Sequence, residues 1–324
     1  MKAWIWRGVC AGLLLAELGA LVACGGPSSL TPVAGNIQYL DQKAGLPAAR
    51  PSLGMSFSVI KTGQSLGALE GLVVEGGSWF KVRRPIYAAV LVKHPRGVFM
   101  FDTGLGRRID EQFSVNSWLH RRFFGYGEVH AAADQMVQAG WAPEDVRMIV
   151  PSHLHWDHAS GLPDFPQAEV LATGDEVTGA RQGRPPAFLA SQFNQVQHWR
   201  ELSFQGPAYL GFPASHDLFD DGSVVLVPLG GHTAGQVGLF LTLPSGRRYF
   251  FIGDVTWTIE GARWGADRSW LVRQVLHLDN DPDANRRCIA HVQQIIQRYP
   301  EVTVVPAHDE NVYETLAHFP QFQE

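Results

Sequence analysis

The sequence predicts a single α/β domain. From residue 55 onward, short runs rich in β-forming residues alternate with stretches whose apolar residues recur at helical spacing. These strands and helices interleave without a break, which favours one domain over two. The length of 324 residues and the 45% hydrophobic content allow a large buried core. The same composition excludes intrinsic disorder, a collagen-like chain and a disulfide-stapled miniprotein.

The first half of this body contains a predicted hairpin and a predicted helix. Residues 88–93 and 98–102 flank a His-Pro-Arg-Gly sequence that is typical of a tight turn. A helix is predicted over 131–139, because its apolar positions have helical spacing and Gly140 ends the pattern. Two further strands are predicted at 146–150 and 169–172.

The second half repeats this alternation. A hairpin pairs residues 237–243 with 248–252 across Pro-Ser-Gly. The apolar residues of 284–298 recur at helical spacing and include Cys288, which we therefore expect to be a core residue and not a nucleophile. Strands are also predicted at 224–228 and 302–305.

The N-terminus is predicted to be an export signal. It has a positively charged start, a short apolar run and the close Leu-Val-Ala-Cys, which resembles the bacterial lipoprotein signal. We expect a signal peptide over 1–23, a lipid-modified Cys24 followed by a tether to residue 54, and the folded domain over 55–324. A lipidated chain would be anchored to the membrane on the periplasmic side of the cell envelope, at the outer membrane. An ordinary secretory signal or an uncleaved anchor is the alternative.

The most informative stretch is 152–158, Ser-His-Leu-His-Trp-Asp-His, which directly follows a predicted strand. In an extended segment, His153 and His155 point to the same side. Asp157 and His158 then turn with the chain into the first turn of a helix and face a second point nearby. Neutral imidazole and carboxylate are ligands that zinc favours, so this stretch predicts a metal site.

Three later residues are suited to complete the coordination of this metal site. His232 lies among glycines that let the backbone bend inward. Asp254 ends one strand and His308 follows another. Each lies at the mouth of a strand, where loops converge in an open α/β sheet.

These seven positions match the motif of the metallo-β-lactamase superfamily, His-x-His-x-Asp-His followed by His, Asp and His. The resemblance covers about residues 55–320 and includes Asp102-Thr103-Gly104, which is similar to an early turn of that family. It implies a four-layer αβ/βα sandwich with a dinuclear metal site at one edge, the two metals being expected to be zinc. It further implies that one metal is bound by His153, His155 and His232, the other by Asp157, His158 and His308, and that Asp254 bridges them.

Several residues of this chain differ from those of particular branches of the family, and these differences narrow the choice among the family's reactions. Branches that hydrolyse β-lactams carry Cys or Ser at the position of Asp254, and diiron oxygen reductases carry Glu at that of His155. Transfer-RNA-processing members share all seven ligands, but a net charge of −5 without a basic stripe argues against a nucleic-acid partner. The runs at 92–104 and 152–161 are more similar to the N-acyl homoserine lactone lactonases. Those lactonases often carry Tyr where this chain has Trp257.

The resemblance implies a hydrolase that opens the ring of a small-molecule lactone by attack of a metal-bridging hydroxide. Asp254 would hold both metals, and Asp157 would orient the nucleophile or pass a proton to the leaving group. The irregular segments 105–130 and 175–220 are candidate walls or lids over the site. We expect Trp257 and aromatic residues of the first segment to form the substrate pocket, namely Trp118, Phe123, Phe124 and Tyr126.

Two alternatives stay open. A hydrolase of thioesters, phosphodiesters or sulfate esters would use the same metals, and a cluster of Arg263, Arg268 and Arg273 beside the site would favour such an anionic substrate. A non-catalytic metal-binding envelope lipoprotein is the other alternative. An apolar cleft beside the metals would favour a lactone.

Overall fold

The structure is a computed structural model that describes residues 45–324. The predicted signal peptide, Cys24 and most of the predicted tether lie outside the described residues. Fourteen strands are present in the described part: β1 (Ser56–Ser65), β2 (Ala68–Leu69), β3 (Val82–Arg83), β4 (Ile86–His94), β5 (Gly97–Phe101), β6 (Tyr126–Gly127), β7 (Met148–Val150), β8 (Glu169–Ala172), β9 (Trp199–Glu201), β10 (His216–Asp217), β11 (Val224–Pro228), β12 (Val237–Thr242), β13 (Arg248–Phe251) and β14 (Val302–Val305).

The helices follow the strands on the outer faces. Within residues 45–324 they are α1 (Glu70–Val73), α2 (Ile109–Phe113), α3 (Trp118–Phe123), α4 (Ala132–Gln138), α5 (Trp156–Ala159), α6 (Gly174–Gln182), α7 (Ala190–Phe193), α8 (Ile259–Trp264), α9 (Trp270–Leu276), α10 (Pro282–Arg298) and α11 (Glu310–Tyr313). Short 3₁₀ helices span Pro143–Asp145 and Leu162–Asp164.

Two sheets form the centre of the fold. The first has the order β6-β1-β4-β5-β7-β8-β9, and the second has the order β10-β11-β12-β13-β14. In the first sheet β5, β7, β8 and β9 run parallel, while in the second only β13 and β14 do. Both predicted hairpins are confirmed, as β4 with β5 and β12 with β13.

The apolar residues divide into layers. One buried cluster joins the facing sides of the two sheets, where Phe57 of β1 makes edge-to-face contacts with Tyr249 and Phe251 of β13. A second cluster lies between the second sheet and α10, and a third lies between the first sheet and α4. The predicted αβ/βα sandwich of four layers is therefore confirmed. Cys288 packs half-buried against the second cluster, and burial raises the pKa of its thiol to about 12.

The chain enters the domain earlier than predicted. The backbone N–H of Arg50 donates to the carbonyl of Asp221 at 2.7 Å, and Arg248 donates to the carbonyl of Pro47 at 2.8 Å. Residues 47–50 therefore pack on the domain, although they fall inside the tether predicted to end at residue 54. No helix among the described residues is long and apolar enough to cross a membrane.

Strand register places the site at one edge. Phe101 of β5 pairs with Val150 of β7, and Phe251 of β13 pairs with Val305 of β14. Because parallel strands end at the same edge of a sheet, the residues that follow these pairs become neighbours. Asp254 lies three residues beyond Phe251, and His308 lies three residues beyond Val305. The pairing of the two strands therefore brings these two side chains together.

Candidate active site

Seven predicted ligands meet where the ends of the two sheets converge. Their donor atoms form three groups, each with all of its atoms within 4.8 Å of one another. The groups are His153, His155 and His232; His153, His158 and Asp254; and Asp157, His158 and His308.

The first group consists of buried imidazoles. His155 Nδ1 lies 3.0 Å from His232 Nε2. The lone pairs of these two nitrogens can therefore point to one common position. Burial, together with the neighbouring imidazoles, lowers the pKa of both His153 and His155 well below the ordinary value. These rings are therefore neutral and free to act as metal ligands.

The third group, formed by Asp157, His158 and His308, mixes imidazole with carboxylate. His308 Nε2 lies 3.4 Å from Asp157 Oδ2, and His158 Nε2 lies 3.9 Å from the same oxygen. His158 and Asp157 follow each other in α5, as the sequence predicted. This group offers the mixed oxygen and nitrogen donors of a second cation site.

Asp254 stands between the first and third groups and belongs to the group that joins them. Its Oδ1 lies 3.3 Å from His158 Nε2 and 3.1 Å from His308 Nε2. Its Oδ2 lies 3.6 Å from His232 Nε2 and accepts a hydrogen bond from Trp257 Nε1 at 3.0 Å. One carboxylate thus faces both groups, which is the geometry of a bridging ligand.

The unpaired polar atoms fit a metal. His153 Nε2, His158 Nε2 and Asp254 Oδ1 are buried and have no hydrogen-bond partner in the described part of the chain. Buried polar atoms in folded proteins are rarely left without a partner, so these three atoms require one. Imidazole and carboxylate donors suit a divalent cation such as zinc, and the set is large enough for two.

A buried carboxylate orients the ligands after β7. Asp102 Oδ2 accepts from His158 Nδ1 at 2.9 Å, and Asp102 Oδ1 accepts from the Ser152 N–H at 2.6 Å. Ser152 Oγ in turn lies 3.0 Å from His153 Nδ1. Burial alone would lower the pKa of His158, but Asp102 and the nearby carboxylates raise it above its ordinary value. Such partners fix the orientation of ligand rings.

Glu176 in α6 is a buried site residue that the sequence did not reveal. Its carboxylate accepts from the Leu154 N–H at 2.7 Å, from Thr233 Oγ1 at 2.6 Å and from the Gly235 N–H at 3.0 Å. It therefore connects the loop of His153 and His155 to the loop of His232. A lone glutamate in a helix carries no sequence signal for this role.

A second unpredicted group supports His232. Asp279 Oδ1 lies 2.8 Å from His232 Nδ1, and Arg268, buried beneath Trp257, pairs with Asp279 at 3.2 Å. Burial alone would raise the pKa of Asp279, but Arg268 and His232 lower it to about 2. The glycine before His232 is also required: at φ +140°, a Cβ on Gly231 would lie 2.4 Å from a backbone nitrogen of α10.

A cavity of about 160 Å³ opens onto the ligands. Asp157, His155, His232, Asp254 and His308 lie in its floor. Apart from these and a few polar residues, its walls are mostly apolar, with contributions from Leu66, Val73, Tyr87, Trp156, Leu276 and Leu278.

The structure places some of the predicted pocket residues in the cavity and others outside it. Trp257, Phe123 and Phe124 line the cavity. Tyr126 does not: its ring packs on Trp156 and its hydroxyl donates to Asp110 at 2.9 Å. Trp118 points outward with 73% of its surface exposed. Of the predicted wall over 105–130, only residues 122–125 line the cavity.

Tyr87 also lines the cavity, although it was not predicted from the sequence. Its buried ring meets the ring of His308 edge-on, with 5.6 Å between centroids. Burial, with the charges of Asp157 and Asp254, raises the pKa of the phenol well above its ordinary value. Tyr87 therefore offers a protonated hydroxyl beside the ligands. Its position within β4 gave no functional signal.

The three arginines considered from the sequence do not form a cluster in the cavity. Arg263 is exposed, Arg268 is buried among carboxylates, and Arg273 pairs with Glu75 at 3.1 Å. Within the described residues, Arg122 is the one Lys or Arg side chain in the cavity lining.

Comparison with known proteins gives concordant results. The family model of the metallo-beta-lactamase superfamily matches residues 83–308. The probable metallo-hydrolase Rv2300c of Mycobacterium tuberculosis is 29% identical over 238 residues, covering 69% of this chain and 75% of that protein. N-acyl homoserine lactonase AiiB of Agrobacterium fabrum is 21% identical over 268 residues, covering 76% of this chain and 91% of the relative.

A solved structure has a similar fold. It is an N-acyl homoserine lactone hydrolase with the product N-hexanoyl-L-homoserine bound at the catalytic metal center. It matches with a TM-score of 0.64 at 16% identity, covering 83% of this chain and 98% of that chain. At this identity the likeness concerns the fold alone.

Proposed function

The chain belongs to the metallo-beta-lactamase superfamily, and from this membership we propose that it is a zinc-dependent hydrolase that opens the ring of N-acyl homoserine lactones or similar lactones. The observation that carries the proposal is the mostly apolar cavity that ends on five of the seven ligands. An acyl chain requires apolar walls, and a lactone carbonyl requires a polarising group at their end. Relatives named as lactonases add support.

The metals would be held by the two groups of ligands that Asp254 connects. Divalent zinc bound there supplies a coordinated water of lowered pKa and polarises a carbonyl oxygen. Ring opening consumes one water, breaks the bond between the acyl carbon and the ring oxygen, and leaves a hydroxy acid.

The reaction also requires that the attacking water be oriented and that the departing oxygen receive a proton. Residues of the cavity can meet both requirements. Asp157 lies in the floor, where its carboxylate can orient the attacking water or pass a proton to the departing ring oxygen. Tyr87 holds a protonated hydroxyl beside it. Trp257 cannot transfer a phenolic proton; its indole N–H instead donates to Asp254 and fixes that carboxylate. Of these two residues we assign the proton-donating role to Tyr87 and the orientation of the attacking water to Asp157.

The charge of the cavity favours a lactone over an anionic ester. A phosphodiester or sulfate ester carries a negative charge that cationic side chains beside the metals would stabilise. Arg268 is already neutralised by Asp267 and Asp279, and Arg273 by Glu75. Among the described residues this leaves Arg122 as the one Lys or Arg of the cavity lining that could contact an anionic substrate.

A substrate panel tests the proposal. The full chain, loaded with zinc, is given N-acyl homoserine lactones, other lactones, a thioester, a phosphodiester and a sulfate ester, and initial rates are compared. We expect lactones to react fastest and the Asp254→Asn variant to lose that activity. Turnover of the phosphodiester without turnover of lactones, again dependent on Asp254, would contradict the proposal.

We further propose that the chain is an exported lipoprotein with its lipid on Cys24, held at the periplasmic side of the outer membrane. The support is the sequence of the N-terminus. Mass spectrometry of the N-terminal peptide from membrane-extracted protein tests this. A lipid-modified Cys24 is expected, and an unmodified peptide that begins elsewhere would contradict it.

A further inference from the structure

Helix α3 is a surface helix that buries none of its residues. Trp118 is 73% exposed, Leu119 56% and Phe123 49%. A helix this short is not stable by itself in water, and neighbouring exposed apolar side chains typically mark a binding surface. The arrangement indicates that α3 contacts something other than solvent.

The apolar surface of α3 is continuous with the cavity. Phe123 lines the cavity, and so does Leu66, which is 61% exposed and whose N–H donates to the carbonyl of Gly125 at 2.9 Å. These two side chains stand at the opening. Whatever covers α3 therefore also stands at the entrance to the metal ligands.

The charge beside this surface is positive and unpaired. Arg121 and Arg122 are exposed and form no ion pair with any residue from 45 to 324. By contrast, Arg107 pairs with Asp134 at 2.7 Å and Arg108 with Glu111 at 2.6 Å. Two free guanidinium groups next to Trp, Leu and Phe match a surface that is anionic outside and apolar inside.

We propose that α3, together with Leu66, docks on a lipid bilayer that contains anionic phospholipids. Tryptophan and phenylalanine would enter the boundary between headgroups and acyl chains, while Arg121 and Arg122 bind lipid phosphates. The opening would then face the bilayer. One consequence rests on the proposed function: lactones with long acyl chains would enter the cavity from the membrane.

A fluorescent label tests the proposal. In the full chain, Leu119→Cys is labelled with an environment-sensitive dye, and Val137→Cys on α4, which is 53% exposed, is the matched control. Labels on native cysteines would be common to both variants. With vesicles of phosphatidylcholine and phosphatidylglycerol, we expect a blue shift and a several-fold rise in emission at position 119 but not at 137. Replacing Arg121 and Arg122 by Gln should abolish the response.

The other outcomes each overturn the proposal. No change at position 119, or equal changes at 119 and 137, would mean that α3 does not dock. An equal response with pure phosphatidylcholine would exclude the role of anionic headgroups. A response that needs no vesicles and grows with protein concentration would mean that a second copy of the chain covers α3. Because the label does not report hydrolysis, these outcomes are independent of the proposed reaction.

Discussion

Glu176 Oε2 accepts a hydrogen bond from Thr233 Oγ1 at 2.6 Å. The other oxygen of the same carboxylate accepts from the backbone of Leu154 at 2.7 Å. A residue outside the metal ligands therefore fixes the distance between the loops that carry His153 and His232. The geometry of the site depends on this connection as well as on the ligands.

Weakening this connection should weaken metal binding. In Glu176→Gln the charged acceptor becomes a neutral amide whose NH₂ group must face at least one donor, the Leu154 N–H when the amide oxygen stays on Thr233 and Gly235. Partners that orient ligands typically change metal affinity by about 10–100-fold, and we expect a loss of that size in competition with a zinc chelator. Glu169→Gln, in the neighbouring strand and paired only with Arg200 on the surface, is the control and should bind zinc as the wild type does. Equal affinity of both variants would exclude the role of Glu176.

Removing the phenol of the cavity should slow catalysis without unfolding the chain. In Tyr87→Phe the ring remains against His308, but the proton donor is lost. A positioned acid contributes about 10²–10⁴-fold to a rate, so we expect kcat for lactone opening to fall by about 10²-fold.

Tyr126→Phe is a matched control for this prediction, since its hydroxyl contacts Asp110 outside the cavity. Its kcat should remain near that of the wild type, and thermal unfolding should confirm that both variants are folded. If the two variants have the same kcat, Tyr87 is not the proton donor.

Stability should fall in acid through the carboxylates around Arg83. Glu260 accepts from this buried guanidinium at 2.9 Å. Burial alone would raise the pKa of Glu260, but the hydrogen bond and charge of Arg83, together with hydrogen bonds from the local backbone and Thr258, outweigh burial and lower it. Since the folded pKa lies below the unfolded one, the stabilising contribution is complete above about pH 4.3 and is lost as the pH falls through the folded pKa.

Urea unfolding from about pH 6 to about pH 3 measures this effect. We expect the free energy of unfolding to decrease below about pH 4.3, and to decrease less steeply in Glu260→Gln than in the wild type at equal metal loading. Identical slopes would show that this carboxylate does not contribute to the pH dependence.

The sequence predicts the elements of this fold because its strands are strongly apolar and its turns are well marked. The hairpin turn after His94 and the strand that ends at Val150 both lie within two residues of their expected limits. The ligands were predictable for the same reason: each follows a strand directly, and strand ends converge.

The partners of the ligands were not predictable. Glu176 reaches Thr233 across 57 positions, and Asp279 reaches His232 across 47. A single carboxylate in a helix or loop has no pattern that identifies its partner. The pocket was predicted only in part, because Trp118 and Phe123 share one short helix but only Phe123 points into the cavity.

The central claim is that this chain opens lactones through metals held by its seven ligands. The direct test is to strip the full chain of metal with a chelator and to measure the rate of N-acyl homoserine lactone opening as zinc is returned. We expect no activity without metal and a rate that saturates at two zinc ions per chain. Full activity in the stripped chain, or no lactone opening at any zinc concentration, would contradict it.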